Sequence, residues 1–216
     1  TMFTAMERRV FCDLDGVLAD FESSVIKLFG PRWKQVPKGR LWGTLGAPHR
    51  NFYDRLSWMS DGKQLWKQIA HLNPTVLTGL PQGAWAAPQK RSWCARELGE
   101  DVPVLTCLAR EKPQYACAGA ILIDDRPETC RAEWESRGGV FVVHTTAADT
   151  LMQLRQLGVL GSQDEDDVIV KAAAESVFSP DGDCRGLSRT VLRDRERSRS
   201  RGRPCTTDAY GGSLDD

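Results

Sequence analysis

Asp13 and Asp15 stand two residues apart where the apolar run Val10-Phe11-Cys12 ends, and Gly16 follows them. Residues two apart at the end of a strand point the same way, and glycine permits a sharp turn after them. Two carboxylates held so close repel each other unless something positive lies between them. Three more apolar runs end in polar groups: PTVL in Thr78-Gly79, VPVLTCL in Arg110 and Lys112, and AILI in Asp124-Asp125. Four acids, a hydroxyl and an ammonium make a set that can hold a hard cation and carry nucleophilic and acid–base chemistry. Each member also has a plainer reading. The aspartates can be solvated strand-end acids, Thr78 a β-branched strand residue, and Lys112 a solvated lysine before Pro113. Asp124-Asp125 can cap a helix starting near Pro127.

The elements that must position these groups are legible as apolar runs of strand length. They cover Arg9 to Leu14, Thr75 to Leu77, Val102 to Leu108, Ala120 to Ile123 and Val140 to His144. Helical patterns lie between the later ones. Pro88 to Leu98 carries Trp93, Cys94 and Leu98 on an inner face, and Gly99 ends it. Pro127 to Arg137 spaces Cys130 and Trp134 four apart, and Ala147 to Leu157 repeats Leu151, Leu154 and Leu157. Strands apolar on both faces, alternating with helices, predict an α/β fold with a doubly wound parallel sheet. Its carboxyl edge is where ligands bind.

Residues 22–72 interrupt the alternation and hold four of the seven tryptophans, Trp33, Trp42, Trp58 and Trp66. Pieces such as Gly62 to Ala70 predict a small helical cap inserted after the first strand, whose large rings can equally be its own core. The expected domain covers residues 8–160. Residues 161–216 begin with an acidic run and end in LSRTVLRDRERSRSRGRPC, which holds seven arginines and little to bury. This tail is expected to be disordered.

Charge excludes little as a whole, because 29 basic and 29 acidic residues cancel. No run approaches the about 18 apolar residues of a membrane span, so no membrane partner is expected. TMFTAMERRV lacks a signal peptide's apolar stretch, and a chain starting at Thr is compatible with a fragment or a processed form. Seven cysteines without a CxxC pair, among them the candidate buried thiols Cys12, Cys107 and Cys117, predict a reducing, intracellular and most simply cytoplasmic setting. His49, His71 and His144 show no partners at ligand spacing, so a zinc site is not expected.

The ordered set Asp-x-Asp, Thr, Lys and an acidic pair resembles the haloacid dehalogenase superfamily of phosphohydrolases over residues 8–157. DLDGVLADFE, LAREK and ILIDDRP most resemble the 5'(3')-deoxyribonucleotidases. The resemblance implies a Rossmann-like fold and Mg²⁺-dependent hydrolysis of a phosphomonoester through an aspartyl-phosphate. It makes Asp13 the nucleophile and Asp15 the general acid and base. Thr78 and the backbone at Gly79 would bind phosphoryl oxygens, with Arg110 a further candidate substrate contact, and Lys112 would neutralise developing charge. Asp13, the backbone carbonyl of Asp15, Asp124 and Asp125 would hold Mg²⁺. Phe21 matches a phenylalanine that lines the family's base pocket, so a nucleotide is the expected substrate. Gly79 departs from the family, which commonly carries Ser there.

The motif order separates this chain from receiver domains, whose acidic pair comes at the first strand and whose Lys comes last. Asp15 separates it from P-type ATPases, which have Thr two residues after the nucleophile. Two other functions remain open at this level. The arginine-rich tail could hold nucleic acid in an end phosphatase, or the fold could serve as a non-catalytic binding protein.

Overall fold

The computed structural model describes residues 8–161. The arginine-rich segment and its expected disorder and nucleic-acid contacts lie outside the described residues. The chain divides into two compact units between Leu154 and Arg155. Of the second, the described residues are the end of the last helix and a turn at Gly158.

Five strands form one parallel sheet in the order β3-β2-β1-β4-β5. They are β1 (Val10–Cys12), β2 (Thr75–Gly79), β3 (Val104–Cys107), β4 (Ile121–Asp124) and β5 (Val140–Val143). The expected α/β fold is present, consistent with a Rossmann-like domain of haloacid dehalogenase type. Register sets the core: Phe11 pairs with Leu122 and Leu122 with Phe141, so all three side chains share one face. Trp134 packs on them edge-on, its ring 5.6 Å from that of Phe11.

Strand ends differ from the sequence reading in ways that matter. β2 runs on to Gly79 and β4 to Asp124, because Thr78 pairs with Thr106 and Asp124 with Val143. Thr78 and Asp124 are therefore held by ladder hydrogen bonds rather than by loops. β1 stops early, since the Leu14 carbonyl takes hydrogen bonds from Leu18 and Ala19 and turns the chain.

After the sheet come α4 (Ala86–Glu97), α5 (Pro127–Ser136) and α6 (Ala147–Gln156). Helix α4 starts two residues before the expected Pro88. A proline in the first turn removes an N–H that has no partner in the helix. Cys130 and Trp134 of α5 and Leu151 and Leu154 of α6 are buried as their spacing predicts. The seven-residue 3₁₀ turn Ala109–Tyr115 connects β3 to β4.

Between β1 and β2 lie α1 (Phe21–Phe29), α2 (Lys38–Leu45) and α3 (Gly62–Ile69), with 3₁₀ turns at Trp33–Gln35, Pro48–Arg50 and Ala70–Leu72. Asp20 caps α1 by accepting from the Ser23 N–H. The chain leaves and re-enters this segment side by side: Asp20 N–H donates to Ser57 and Met59 N–H to Leu18. Residues 53–58 are then fastened to α4 by five hydrogen bonds. Tyr53 N–H donates to Gln89, and Trp93 Nε1 donates to the Leu56 carbonyl. Arg96 donates to both the carboxylate and the carbonyl of Asp54, and Trp58 Nε1 donates to Glu97.

Candidate active site

Strand β1 delivers Asp13 to the carboxyl edge of the sheet with its N–H bound to the Ile123 carbonyl, so it lies beside Asp124 of the neighbouring strand. Asp13, Asp124 and Asp125 each present a carboxylate oxygen within 4.8 Å of the others. Lys112, only 2% exposed, reaches between two of them, with its ammonium 3.0 Å from Asp13 Oδ1 and 2.5 Å from Asp124 Oδ2. A lysine on an irregular turn is normally solvated. Here Pro113 behind it is buried, and the turn lays its side chain inward. The solvated reading of Lys112 is therefore excluded. So is the capping reading of the acidic pair, because no side chain caps α5 and Asp124 Oδ1 accepts from Arg126 N–H instead.

The turn after Asp13 depends on Gly16. Its φ of +85° suits glycine, and a Cβ there would lie 2.4 Å from Asp125 Oδ2. The glycine thus both shapes the loop and makes room for a carboxylate of the cluster.

Asp15 is held separately. Its Oδ2 accepts from Lys90 at 2.6 Å, and the same ammonium donates to Thr78 Oγ1 at 2.8 Å and to the Gly79 carbonyl at 2.7 Å. Lys90 is fully buried and all three of its protons are engaged. Sequence reading missed it. The available signal was its place on α4, three and four residues before the buried Trp93 and Cys94, which puts a lysine on an inner helix face.

Electrostatics follow from this packing. Burial, reinforced by Asp13, pushes Asp124 up to about 6 against the pull of Lys112. Burial, Asp13 and Asp124 push Asp125 up to about 7. Burial also raises Asp15, although the Lys90 charge opposes it. Burial alone would lower Lys112, but Asp13 and Asp124 outweigh it and hold the ammonium above its usual range. With every group ionised, four carboxylates face two ammonium groups and two negative charges are left over. Asp15 Oδ1 and Asp125 Oδ1 are buried without hydrogen-bond partners, and Asp13 Oδ1 has only its ion pair with Lys112. That surplus, with oxygen-only donors, fits a hard divalent cation at the Asp13–Asp124–Asp125 cluster.

The other expected residues divide. Thr78 is buried beside Asp15. The backbone of Gly79 meets Lys90, and a Cβ on Gly79 would come 3.1 Å from Ala109 Cβ. Absence of the family's Ser thus lets the turn after β3 close in. Arg110 is exposed, and among the described residues no hydrogen bond or ion pair joins it to the carboxylates.

Phe21 opens α1 amid aromatic rings, with centroids 5.7 Å from Phe52, 6.0 Å from Tyr53 and Trp33, and 6.3 Å from Trp42. Trp85 stacks on Tyr53 at 5.4 Å, and Lys90 Nζ lies 4.4 Å from the Tyr53 ring centre. A continuous aromatic group therefore runs from the helical segment to the lysine that holds Asp15. Tyr53 and Trp85 were not anticipated, because neither sits beside a catalytic motif in sequence.

No family model matches the chain. It is similar to the mitochondrial 5'(3')-deoxyribonucleotidase of Mus musculus, 27% identical over 156 residues, covering 59% of this chain and 70% of that protein. The mitochondrial 5'(3')-deoxyribonucleotidase of Homo sapiens is likewise 27% identical over 156 residues, covering 59% and 68%. These distant similarities support a phosphatase of haloacid dehalogenase type. Among the described residues no helix is long and apolar enough to cross a membrane, and all five described cysteines are free.

Proposed function

We propose that this protein hydrolyses a phosphomonoester through an aspartyl-phosphate on Asp13, with a nucleotide or deoxynucleotide as the substrate class. The observation that carries the reading is the pair of ion clusters at the end of β1, Asp13–Lys112–Asp124 and Asp15–Lys90–Thr78. One holds a nucleophile, the other an acid. Mg²⁺, held by Asp13, Asp124, Asp125 and the Asp15 carbonyl, would supply the positive charge that lets a carboxylate approach a phosphate.

Asp13 attacks phosphorus while Lys112 offsets the charge gathering on the transferring group. The Thr78 hydroxyl accepts from Lys90, so its own proton is free to donate to a phosphoryl oxygen. Asp15 protonates the departing ester oxygen. It then takes a proton from the water that cleaves the Asp13 acyl phosphate. The helical segment between β1 and β2 acts as a small cap, and its aromatic group, with Phe21, offers flat surfaces to a base. Gly79 contributes backbone, and Arg110, being exposed, is left to outer parts of a substrate. Free thiols support a reducing intracellular setting. The mitochondrial relatives make that organelle as natural a compartment as the cytoplasm.

The test is Asp13→Asn. The amide cannot form an acyl phosphate, so hydrolysis of p-nitrophenyl phosphate and of nucleoside monophosphates is expected to vanish while circular dichroism stays unchanged. A folded variant turning over at the wild-type rate rejects the mechanism.

A further inference from the structure

We propose that Lys90 is a positioning residue that decides which oxygen of Asp15 handles the proton, and so governs how well the site expels poor leaving groups. The inference rests on the phosphatase reading and deepens it. A general acid needs one carboxyl oxygen to bear a proton and aim it at the leaving group. An ammonium has only donors, and the carbonyl oxygen of a protonated carboxyl is a better acceptor than its hydroxyl oxygen, so the 2.6 Å contact from Lys90 holds Asp15 Oδ2 as that carbonyl oxygen. The proton belongs on Oδ1, the buried oxygen with no partner.

Lys90 fixes more than one atom. Its other two protons go to Thr78 Oγ1 and the Gly79 carbonyl, so the acid and the end of β2 share one anchor. The Tyr53 ring closes over the ammonium, and no rotamer freedom remains at a fully buried side chain. In the first step the Asp15 Oδ1–H bond breaks and its proton passes to the ester oxygen as the bond from that oxygen to phosphorus breaks. In the second, a water proton returns to Asp15 Oδ1 as the water oxygen bonds to phosphorus and the Asp13 oxygen leaves. Lys90 exchanges no proton in either step.

General acid catalysis matters in proportion to the basicity of the leaving group. p-Nitrophenolate departs with little help, whereas an alkyl alkoxide requires a proton. The experiment compares wild type, Lys90→Met, Asp15→Asn and the double variant on p-nitrophenyl phosphate and a simple alkyl phosphate in saturating Mg²⁺. A positioned acid contributes about 10²–10⁴-fold, so Lys90→Met should lower the alkyl-to-nitrophenyl ratio of kcat/KM by at least about 20-fold. Adding Lys90→Met to Asp15→Asn should leave that ratio where Asp15→Asn alone puts it. If Lys90→Met fails to fold because Asp15 is left unpaired, the double variant, which buries no lone charge, decides by the same comparison. Equal losses on both esters in Lys90→Met, or a further fall of the ratio in the double variant, overturn the proposal. A wild-type protein that hydrolyses neither ester overturns the phosphatase reading itself and the role of Lys90 with it.

Discussion

Removing metal should make this protein less stable as pH rises, contrary to the usual behaviour of paired carboxylates. Asp124 and Asp125 lie at about 6 and about 7 in the fold, above the about 3.9 of an unfolded aspartate. A group raised on folding stabilises the fold while it keeps its proton. That contribution is complete below the unfolded value and is lost as pH climbs through the folded one. The window here runs from about pH 4 to about pH 8. For Asp124, 2% exposed, the displacement is worth about 3 kcal/mol. Asp125 is only half-buried, and solvent screening reduces its share to about 1–2 kcal/mol. A loss of about 4 kcal/mol lowers Tm by about 10 °C in a domain of this size. His144 works the other way below about pH 6.5, since burial lowers it and its contribution fades as pH falls. Because nearly all of the fall lies below about pH 7, the comparison runs from about pH 4.5 to 7.5 against Asp124→Asn/Asp125→Asn, which keeps the same His144. Thermal melts in chelator should show the fall, and Asp124→Asn/Asp125→Asn should flatten it. Mg²⁺ at a hundred times its Kd adds about 2.7 kcal/mol. It should do so at pH 8 and far less at pH 5, where its ligands are protonated. A Tm in chelator that changes between about pH 4.5 and 7.5 no differently from that of Asp124→Asn/Asp125→Asn, or equal Mg²⁺ shifts at pH 5 and pH 8, refutes the assignment of these carboxylates.

Two further outcomes concern the edges of the site. Gly16→Ala combines an unfavourable φ with a Cβ pressed against Asp125, so Mg²⁺ activation should require at least about tenfold more metal, read from activity against Mg²⁺ concentration; an unchanged titration removes Asp125 from the metal site. Phe21→Ala should raise KM for nucleoside monophosphates about five- to a hundredfold, the worth of one stacked base, while leaving p-nitrophenyl phosphate within about twofold. An equal loss on both substrates makes Phe21 a packing residue of the aromatic group.

The strands were legible because each is apolar on both faces, and their order followed from alternation with helices. Asp13, Thr78 and Asp124 were legible for a related reason: each ends such a run, and a polar residue there has nowhere to go but the sheet edge. Lys90 was hidden because its neighbours Gln89 and Arg91 are polar too. A stretch that reads as a solvated helix surface gives no sign that one of its three polar groups turns inward. Tyr53 and Trp85 were hidden for a different reason. They lie 32 residues apart in sequence and meet only after the chain has crossed from the helical segment to the sheet. Arg110 lies two residues before Lys112 in sequence, and the 3₁₀ turn leaves it exposed rather than among the carboxylates.

The five hydrogen bonds between residues 53–58 and α4 have a mechanical consequence. Tearing that seam would cost about 5 kcal/mol at about 1 kcal/mol per bond, which keeps it closed in all but about one molecule in five thousand. The seam is a fixed axle, and any breathing of the segment falls to the stretches on either side, such as α1 and α2. Because the axle is bolted to the same helix that carries Lys90, a displacement of the aromatic rings by an incoming molecule is transmitted along a stiff rod. Lys90, which grips the acid, sits on that rod between the contacts at Gln89 and Trp93.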